Sequence, residues 1–339
     1  IDAYTDYHSE CWLLDYEREP HQTVEDGIVF HRLPSTKLPR DELSLPLLNR
    51  IRQRSGENIA LHLHAEWTIH SHLIPRLFGD VPVFIHHHGG LSRPFGIGHP
   101  VVERTAFGAA NHVFVLTEEK RQQLTDTVGL SRSQVGVQTM GIDTDTFTAG
   151  DRTPRDVGVD ANHMFLHVGR YEGVKGLEHL LRIVPELRGE FDVVLMLVGG
   201  NEDDPLYKRA DATEGVRVVT DWVSTEQLVE YYRAASAYTS YPTRESLRGG
   251  ECGIISPVEA LACGTPVVSP VLRFIPAPDR TTVGVNPQTI GELRDGLIGV
   301  LQDPPSREQC RRVAVRHFSW QTVANNVAQV YDQYVPRDR

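Results

Sequence analysis

Short apolar, β-branched segments alternate with amphipathic segments along most of the chain. Eight apolar segments predict strands: Ile59–His64, Val81–His86, His112–Leu116, Val135–Thr139, Met164–Val168, Val193–Val198, Val216–Val219 and Pro266–Ser269. Apolar residues at helical spacing predict the helices Leu45–Arg54, Val101–Ala110, Glu118–Thr127, Leu177–Leu187, Thr225–Ala235 and Ile290–Leu301. Apolar strands that alternate with helices are typical of parallel sheets covered on both faces. The predicted fold class is therefore α/β.

A polar stretch interrupts this alternation near the middle of the chain. Residues 148–162 contain Gly, Pro and several charged side chains, and they separate two series of strands and helices. A chain of 339 residues is long enough for roughly two domains. We predict a first doubly wound, Rossmann-like domain at 1–150 and a second at 151–316. Ligands of such sheets bind beyond the carboxyl ends of the strands, so we expect the active site in a cleft between the domains.

Composition narrows the class of protein. The chain has 34 basic and 45 acidic residues, a net charge of −11, and therefore lacks the basic excess of nucleic-acid-binding proteins. Its four cysteines are scattered, without the paired spacing of zinc or redox sites. No apolar run approaches the roughly 20 residues that span a bilayer. These features predict a cytoplasmic enzyme. Because the sequence starts at Ile1 and not at Met, we expect a further segment to precede it.

The segment 240–270 carries the most informative candidate chemistry. A strand is expected to end near Tyr241, and a Gly-rich loop follows before a helix that begins at Ser256. Ser256 and Glu259 have the spacing of a capping box. Glu251 and Glu259 flank a helix start whose free N–H groups suit a phosphate, and carboxylates beside it would suit the hydroxyl groups of a sugar or ribose. The alternative is that Glu259 only caps its helix and Glu251 is a solvated loop residue.

A second candidate group follows the strand that ends at Val168. Gly169 and Arg170 come directly after this strand, and Lys175 precedes the next helix. Two cations at such a turn can neutralise a diphosphate leaving group, although basic residues in these loops are often only solvated. Gly199 and Gly200 follow the next strand and would let a ligand approach the backbone, or would simply form a turn.

Histidines mark the ends of two strands in the first half. His86, His87 and His88 are consecutive, and neighbouring residues of a strand point to opposite faces, so the three cannot all bind one ion. We predict no metal site here and interpret a single histidine at this strand end, facing the cleft, as a hydrogen-bonding residue for a substrate. His62 and His64 share a face and are interpreted as structural histidines.

The order of these motifs resembles that of the retaining glycosyltransferases with the GT-B fold. The family is group 4, also called glycosyl transferases group 1. The matching pieces extend from about His62 to the C-terminus: His88-Gly89, Glu103-Arg104 through Leu116-Thr117, Met140-Gly141-Ile142-Asp143 with Phe147, Gly169-Arg170 with Lys175-Gly176, Glu251, Glu259 through Val268, and His317-Phe318-Ser319-Trp320. The resemblance implies two Rossmann-like domains that face each other across a cleft.

The resemblance also implies catalytic roles. Arg170 and Lys175 match the pair that binds the donor diphosphate and stabilises its departure. Glu251 matches the carboxylate that faces the donor sugar, and His88 matches the first-domain histidine near that sugar.

A donor-binding set is implied as well. Glu259 matches the carboxylate that holds the ribose hydroxyl groups. Gly253 and Ile254 lie where backbone amides meet sugar or phosphate oxygens, and the glycines Gly169, Gly199 and Gly200 complete the set.

The implied reaction is transfer of a glycosyl group, of the hexosyltransferase type, from a nucleoside-diphosphate sugar to an acceptor, with retention at the anomeric carbon. The acceptor is a sugar, a lipid-linked molecule or another small molecule. No cofactor and no metal are expected, since cationic side chains and a helix terminus balance the charge of the leaving group. Two alternatives stay open: a sugar-nucleotide epimerase or hydrolase on the same fold, and a non-catalytic sugar-nucleotide-binding subunit.

Three expectations concern the periphery of the fold. The family begins with a strand and a Gly-rich loop, which we expect to precede Ile1. Residues 317–339 are expected to form a C-terminal helix that crosses back to the first domain. The arginine-rich helix Leu45–Arg54 could touch anionic lipid and hold the protein peripherally at the inner membrane face; the ordinary interpretation is a solvated helix face.

Overall fold

The computed structural model describes residues 3–15, 20–25, 27–38, 41–64, 68–88, 99–170, 175–204, 206–242 and 254–335. The chain divides into two compact units. One comprises Ile1–Thr139 together with Val323–Arg339, and the other comprises Met140–Thr322.

The first unit begins with five strands that the apolar pattern did not predict. They are β1 Glu10–Asp15, β2 His21–Glu25, β3 Ile28–Pro34, β4 Thr36–Leu38 and β5 Asp41–Leu43. β3 lies between β1, to which it is parallel, and β2, to which it is antiparallel, whereas β4 and β5 pair with each other. These strands are only partly buried, and β2, β4 and β5 are short and mainly polar.

A four-stranded parallel sheet forms the centre of the first unit. Its strands, in spatial order, are β6 Leu61–Leu63, β7 Val83–His87, β8 His112–Val115 and β9 Val135–Val137. The helices of this part are α1 Leu45–Arg54, α2 Ile69–Leu77, α3 His99–Phe107 and α4 Glu118–Gln123, the last continued by a π-helical turn over Leu124–Val128. The predicted bounds of α1 are confirmed, and each of the four predicted strands is present but shorter.

The second unit contains a six-stranded parallel sheet. Its strands are β10 His163–Val168, β11 Val193–Val198, β12 Val216–Val219, β13 Ala237–Thr239, β14 Val267–Val268 and β15 Gly284–Val285. Their spatial order is β12-β11-β10-β13-β14-β15, which is doubly wound about β10. This unit contains two separate apolar clusters, one that includes Leu166 and one that includes Leu197. Because successive residues of β10 and β11 pack into different clusters, both strands are almost entirely apolar.

Helices alternate with these strands as expected. They are α5 Leu177–Leu187, α6 Tyr207–Asp211, α7 Thr225–Ala234, α8 Ile255–Ala262, α9 Ala277–Arg280 and α10 Ile290–Gln302. Two further helices, α11 Arg307–Phe318 and α12 Trp320–Tyr331, follow the last strand, and the residues of α12 from Val323 onward belong to the first unit. The predicted bounds of α5 are confirmed, because its apolar stripe is complete from Leu177 to Leu187. Within the described residues, no helix has the length and apolar character needed to cross a membrane.

Candidate functional site

Two glycine turns lie side by side at the carboxyl edge of the second sheet. Gly169 follows β10 with φ +146°, and Gly199 follows β11 with φ +95°. The amide of Gly169 donates to the Val198 carbonyl at 2.9 Å. A Cβ atom added to Gly199 would lie 3.6 Å from the Gly169 nitrogen. Both positions have the backbone conformation that favours glycine, so no side chain projects from either turn at this edge.

Lys175 is fixed against the same edge through its backbone. Its carbonyl accepts a hydrogen bond from the Tyr241 amide at 3.3 Å, just beyond the end of β13. Gly176 has φ +65°, and a Cβ atom there would lie 1.7 Å from the Tyr241 carbonyl oxygen. A glycine is therefore required for Lys175 to sit this close to the sheet. Helix α5 begins at the next residue, so its N-terminal N–H groups and positive dipole end lie beside Lys175.

A buried histidine lies beneath this edge. His167, the penultimate residue of β10, donates from Nδ1 to the Thr239 carbonyl at 3.0 Å and stacks on Tyr238. Burial, with a smaller contribution from the nearby Lys175 charge, lowers the pKa of His167 to about 4, while the hydrogen bond to Thr239 acts in the opposite direction. His167 is therefore neutral at pH 7. The cations that the sequence contributes to this edge are Lys175 and the exposed Arg170, which follows Gly169 directly.

Glu259 lies on α8, but not in the way that the sequence predicted. The helix begins at Ile255, one residue before the predicted start, with the apolar Ile254 as its N-cap. The capping-box prediction is wrong, because the Glu259 side chain does not turn back toward the helix start. Its Oε2 atom accepts a hydrogen bond of 2.7 Å from the hydroxyl group of Tyr232 on α7. The Ser256 side chain, inside the first turn, hydrogen-bonds the same hydroxyl group.

The environment of this pair fixes the carboxylate. Tyr232 is fully buried, and burial together with the Glu259 charge raises the pKa of its hydroxyl group well above the usual value. Glu259 is half-buried. Burial raises the pKa of its carboxyl group, while the hydrogen bond from Tyr232 acts in the opposite direction. The result is a carboxylate held in one orientation on α8, the helix that follows β13 along the chain.

The histidines of the first unit form a stack on one face of its sheet. The rings of His86 and His88 lie 4.6 Å apart and nearly parallel, whereas His87 contacts Phe107. The predicted alternation of these three residues is therefore confirmed. His64 joins the stack through a hydrogen bond of 2.8 Å between its Nδ1 atom and His88 Nε2. His62 continues the stack beside His64 and His86, with ring centroids at 4.5 and 5.6 Å.

Burial keeps these histidines uncharged. It lowers the pKa of His86 to about 3 and that of His64 to about 4, and it lowers the pKa values of His62 and His88 as well. The neighbouring rings would repel one another if they were protonated, which adds to the shifts of His64 and His86.

The predicted site residues thus fall into three groups. One edge of the second sheet gathers five of them: Gly169, Arg170, Lys175, Gly199 and Gly200. Ile254 and Glu259 lie at the start and in the middle of α8, and His88 lies in the first unit. Glu251 and Gly253 lie outside the described residues.

Sequence reasoning missed Tyr232, His167 and Tyr241, which orient or support the site. A buried tyrosine or histidine has no local signature, so only the fold brings these residues to their partners.

Solved structures of known proteins show the same fold. Sucrose-phosphate synthase from Thermosynechococcus elongatus superimposes with a TM-score of 0.70 at 19% identity, over 97% of this chain and 89% of that one. HepE from Anabaena, solved with UDP and glucose, superimposes with a TM-score of 0.64 at 16% identity, over 90% of this chain and 86% of that one. The fold is therefore the GT-B fold, with two Rossmann-like domains.

The sequence is similar to a known family over part of its length. Residues 162–303 match the family described as Glycosyl transferases group 1. A D-inositol 3-phosphate glycosyltransferase from Kribbella flavida is 28% identical over 253 residues, which are 68% of this chain and 58% of that protein. The chain thus spans little more than half the length of this curated relative. The chain is thus similar to the Glycosyl transferases group 1 family over the segment 162–303.

Proposed function

We propose that this chain transfers a glycosyl group from a nucleoside-diphosphate sugar to an acceptor, with retention at the anomeric carbon and without a metal ion. The observation that carries the proposal is the carboxyl edge of the second sheet. Two glycine turns, a helix N-terminus and two cations meet there.

The edge provides what a diphosphate needs. Gly169 and Gly199 carry no side chains that would block a phosphate at this edge, and the N-terminus of α5 contributes its free N–H groups and its positive dipole end. Lys175 is anchored to the sheet through the Tyr241 amide, so its charge is held close to this edge. Together with Arg170, it would neutralise the charge that develops on the leaving diphosphate, a role that a metal ion fills in other enzymes.

Glu259 supports recognition of the ribose. A carboxylate oriented by Tyr232 can accept hydrogen bonds from two adjacent hydroxyl groups, and such charge-assisted bonds are about twice as strong as neutral ones. Glu251, Gly253, Ile254 and His88 keep, within this proposal, the donor-sugar roles that the family resemblance implies.

The comparisons indicate which substrates to test first. HepE was solved with UDP and glucose, so UDP-glucose is the first donor. The matched relative is named a D-inositol 3-phosphate glycosyltransferase, so D-inositol 3-phosphate is the first acceptor. A sugar or a lipid-linked acceptor follows if this compound is not used.

Peripheral contact of a cytoplasmic protein with the inner membrane face stays a secondary proposal. Arg54 on α1 donates to Glu10 and to Glu57 at 2.7 Å, so part of the positive charge of this helix is engaged within the protein. Co-sedimentation with anionic vesicles at low salt tests the contact, and an absence of binding would exclude it.

The test is a transfer assay with the full chain in the presence of EDTA. We expect product whose anomeric configuration, measured by NMR, equals that of the donor. Lys175→Ala and Glu259→Gln should each reduce transfer at least a hundredfold while the circular dichroism spectrum is unchanged. Arg182→Ala is the matched control, since Arg182 is an exposed cation on α5, the helix that follows the turn with Lys175.

Other products would overturn the proposal. A new sugar nucleotide formed without acceptor indicates an epimerase, and free sugar alone indicates a hydrolase. If the protein binds nucleotide but does not turn over any donor, it is a non-catalytic binding subunit.

A further inference from the structure

Three histidines from two neighbouring strands bring their ring nitrogens together in the first unit. One nitrogen from each of His62, His64 and His86 lies within 4.8 Å of the other two. Parallel pairing of β6 with β7 places these side chains on one face of the sheet. Consecutive histidines at 86–88 point to alternating faces and cannot all bind one ion. Alternate positions on adjacent strands share a face, so their side chains can.

Each of the three rings is held through one nitrogen by a second residue. A hydrogen bond of 2.5 Å joins His62 Nδ1 to the hydroxyl group of Tyr331, and one of 2.8 Å joins His64 Nδ1 to His88. His86 Nε2 donates to the Gln138 carbonyl at 3.2 Å, which fixes its proton on Nε2 and leaves a lone pair on Nδ1. Histidine ligands of metal ions are characteristically oriented in this manner, through the nitrogen that does not bind the metal.

A buried nitrogen in the cluster lacks a hydrogen bond. His62 Nε2 is buried and has no partner among the residues that the structure describes. An unsatisfied buried polar atom destabilises a protein unless a ligand completes its bonding. His64, at the other end of the group, is exposed, so an ion can reach the cluster from solvent.

We propose that His62, His64 and His86 bind one divalent transition-metal ion of the zinc class. Imidazole nitrogens favour zinc, nickel and copper, whereas magnesium and calcium require oxygen ligands. Three nitrogens with a water molecule or a fourth histidine complete a tetrahedral shell.

Binding requires a local rearrangement of the rings. Two ligands of a tetrahedral zinc ion lie about 3.4 Å apart when the Zn–N bonds are about 2.1 Å, so the nitrogens must close from their present separation of up to 4.8 Å. The rings of His62 and His86 are nearly parallel, at 9°, and must turn about their Cβ–Cγ bonds, because a bound ion lies in the plane of each imidazole. The site is therefore formed by the metal from a preassembled cluster. It lies in the first unit and adjoins His88 through the His64–His88 hydrogen bond, whereas the diphosphate edge lies in the second unit.

The test uses Co²⁺ and Zn²⁺ with the full chain after removal of any affinity tag. We expect Co²⁺ to give visible d–d bands of a tetrahedral complex that saturate at one equivalent, and Zn²⁺ to displace it. His86→Gln and His64→Gln should each weaken binding at least a hundredfold. Tyr331→Phe should weaken it about 10- to 100-fold and retain the bands, since it removes only the residue that orients His62.

His72→Gln is the matched control. His72 lies on α2, where its Nδ1 atom contacts the Thr68 carbonyl, outside the cluster. Circular dichroism and melting in EDTA verify that each variant is folded. If the buried substitution His86→Gln prevents folding, the exposed substitution His64→Gln still tests the site. Absence of saturable binding to the wild type would overturn the proposal, as would equal affinity in the cluster variants and in His72→Gln. Neither result depends on glycosyl transfer.

Discussion

The hydroxyl group of Tyr232 donates a 2.7 Å hydrogen bond to Oε2 of Glu259. The two residues lie on different helices, α7 and α8, and the tyrosine is fully buried while the carboxylate is half-buried. This bond fixes the orientation of the carboxylate that we assign to the donor ribose.

Removing that hydroxyl group should weaken donor binding more than turnover. A hydrogen bond to a charged group contributes about 1.5 kcal/mol or more, so Tyr232→Phe should raise the donor KM about tenfold with little change in kcat. The bond from Tyr232 lowers the pKa of Glu259, so its loss raises that pKa. Donor binding, which needs the carboxylate form, should then decline at a higher pH than in the wild type. The measurement is donor KM as a function of pH.

Tyr231→Phe is the control for this variant. Tyr231 is the adjacent tyrosine on α7, and its hydroxyl group accepts from Gln227. An unchanged KM in Tyr232→Phe, or an equal change in Tyr231→Phe, would contradict the assigned role of Glu259.

Acid should destabilise the fold partly through His167. Its pKa in the folded protein is about 4, below the ordinary value of 6.5, so the unfolded chain binds a proton first as pH falls. The stability that this neutral histidine contributes is complete above about pH 6.5 and is lost progressively down to about pH 4, for a total of about 3 kcal/mol. Lys175 faces this histidine and disfavours its protonation.

His167→Gln tests this expectation, because a glutamine amide can still donate to the Thr239 carbonyl. Other buried histidines contribute to the total pH dependence, so the relevant quantity is the difference between variant and wild type. Urea unfolding at about pH 7 and about pH 4.5 should give a smaller loss of stability for the variant. Parallel pH profiles for the two proteins would refute the role of His167.

Gly176→Ala should disturb the turn that carries Lys175. A Cβ atom would lie 1.7 Å from the Tyr241 carbonyl oxygen in a backbone with φ +65°, so the turn must move away from the sheet. We expect a loss of stability of about 1–3 kcal/mol and weaker nucleotide binding. Gly291→Ala is the control, since the nearest atom to its Cβ lies at 3.9 Å, and it should be neutral or slightly stabilising. Thermal melting with and without UDP measures both effects, and equal behaviour of the two variants would contradict this expectation.

A buried ion pair in the first unit should contribute more to the free energy of unfolding than the partly exposed ion pair next to it. Lys120, almost fully buried, donates to Glu103, which is completely buried. Lys120→Met leaves a buried carboxylate without its cation and should destabilise the protein by about 3 kcal/mol. Arg121→Met breaks only the partly exposed pair with Glu118 and should cost at most about 0.5 kcal/mol. Urea unfolding compares the two, and similar losses would show that burial does not control this pair.

Local sequence patterns predicted the regular elements of this fold well where both faces of a sheet are covered. The bounds of α1 and α5 and the positions of β10 and β11 follow from apolar periodicity, because burial on both faces requires continuous apolar segments. The strands β1 to β5 escaped prediction, since they are only partly buried and β2, β4 and β5 are short and mainly polar.

The sequence predicted only those parts of the candidate site that are recognisable from residue types in the turns after strands. Glycines and cations directly after β10 and β11 indicated a phosphate site, and the structure places Gly169 and Gly199 next to each other. The role of Glu259 as a capping residue was wrong, because a partner 27 positions away in sequence, Tyr232, competes successfully for its carboxylate.

The sequence by itself determined the α/β class, the alternation of strands and helices, and the residue types at each strand end. The tertiary structure decided which of these ends meet and which side chains become partners. His62 and Tyr331 lie 269 positions apart and are joined by one hydrogen bond. The physical reason is that periodicity along a chain records which face of an element is buried. It contains no record of the element that covers that face, so hydrogen bonds, shifted pKa values and clusters of ligands between elements arise only on folding.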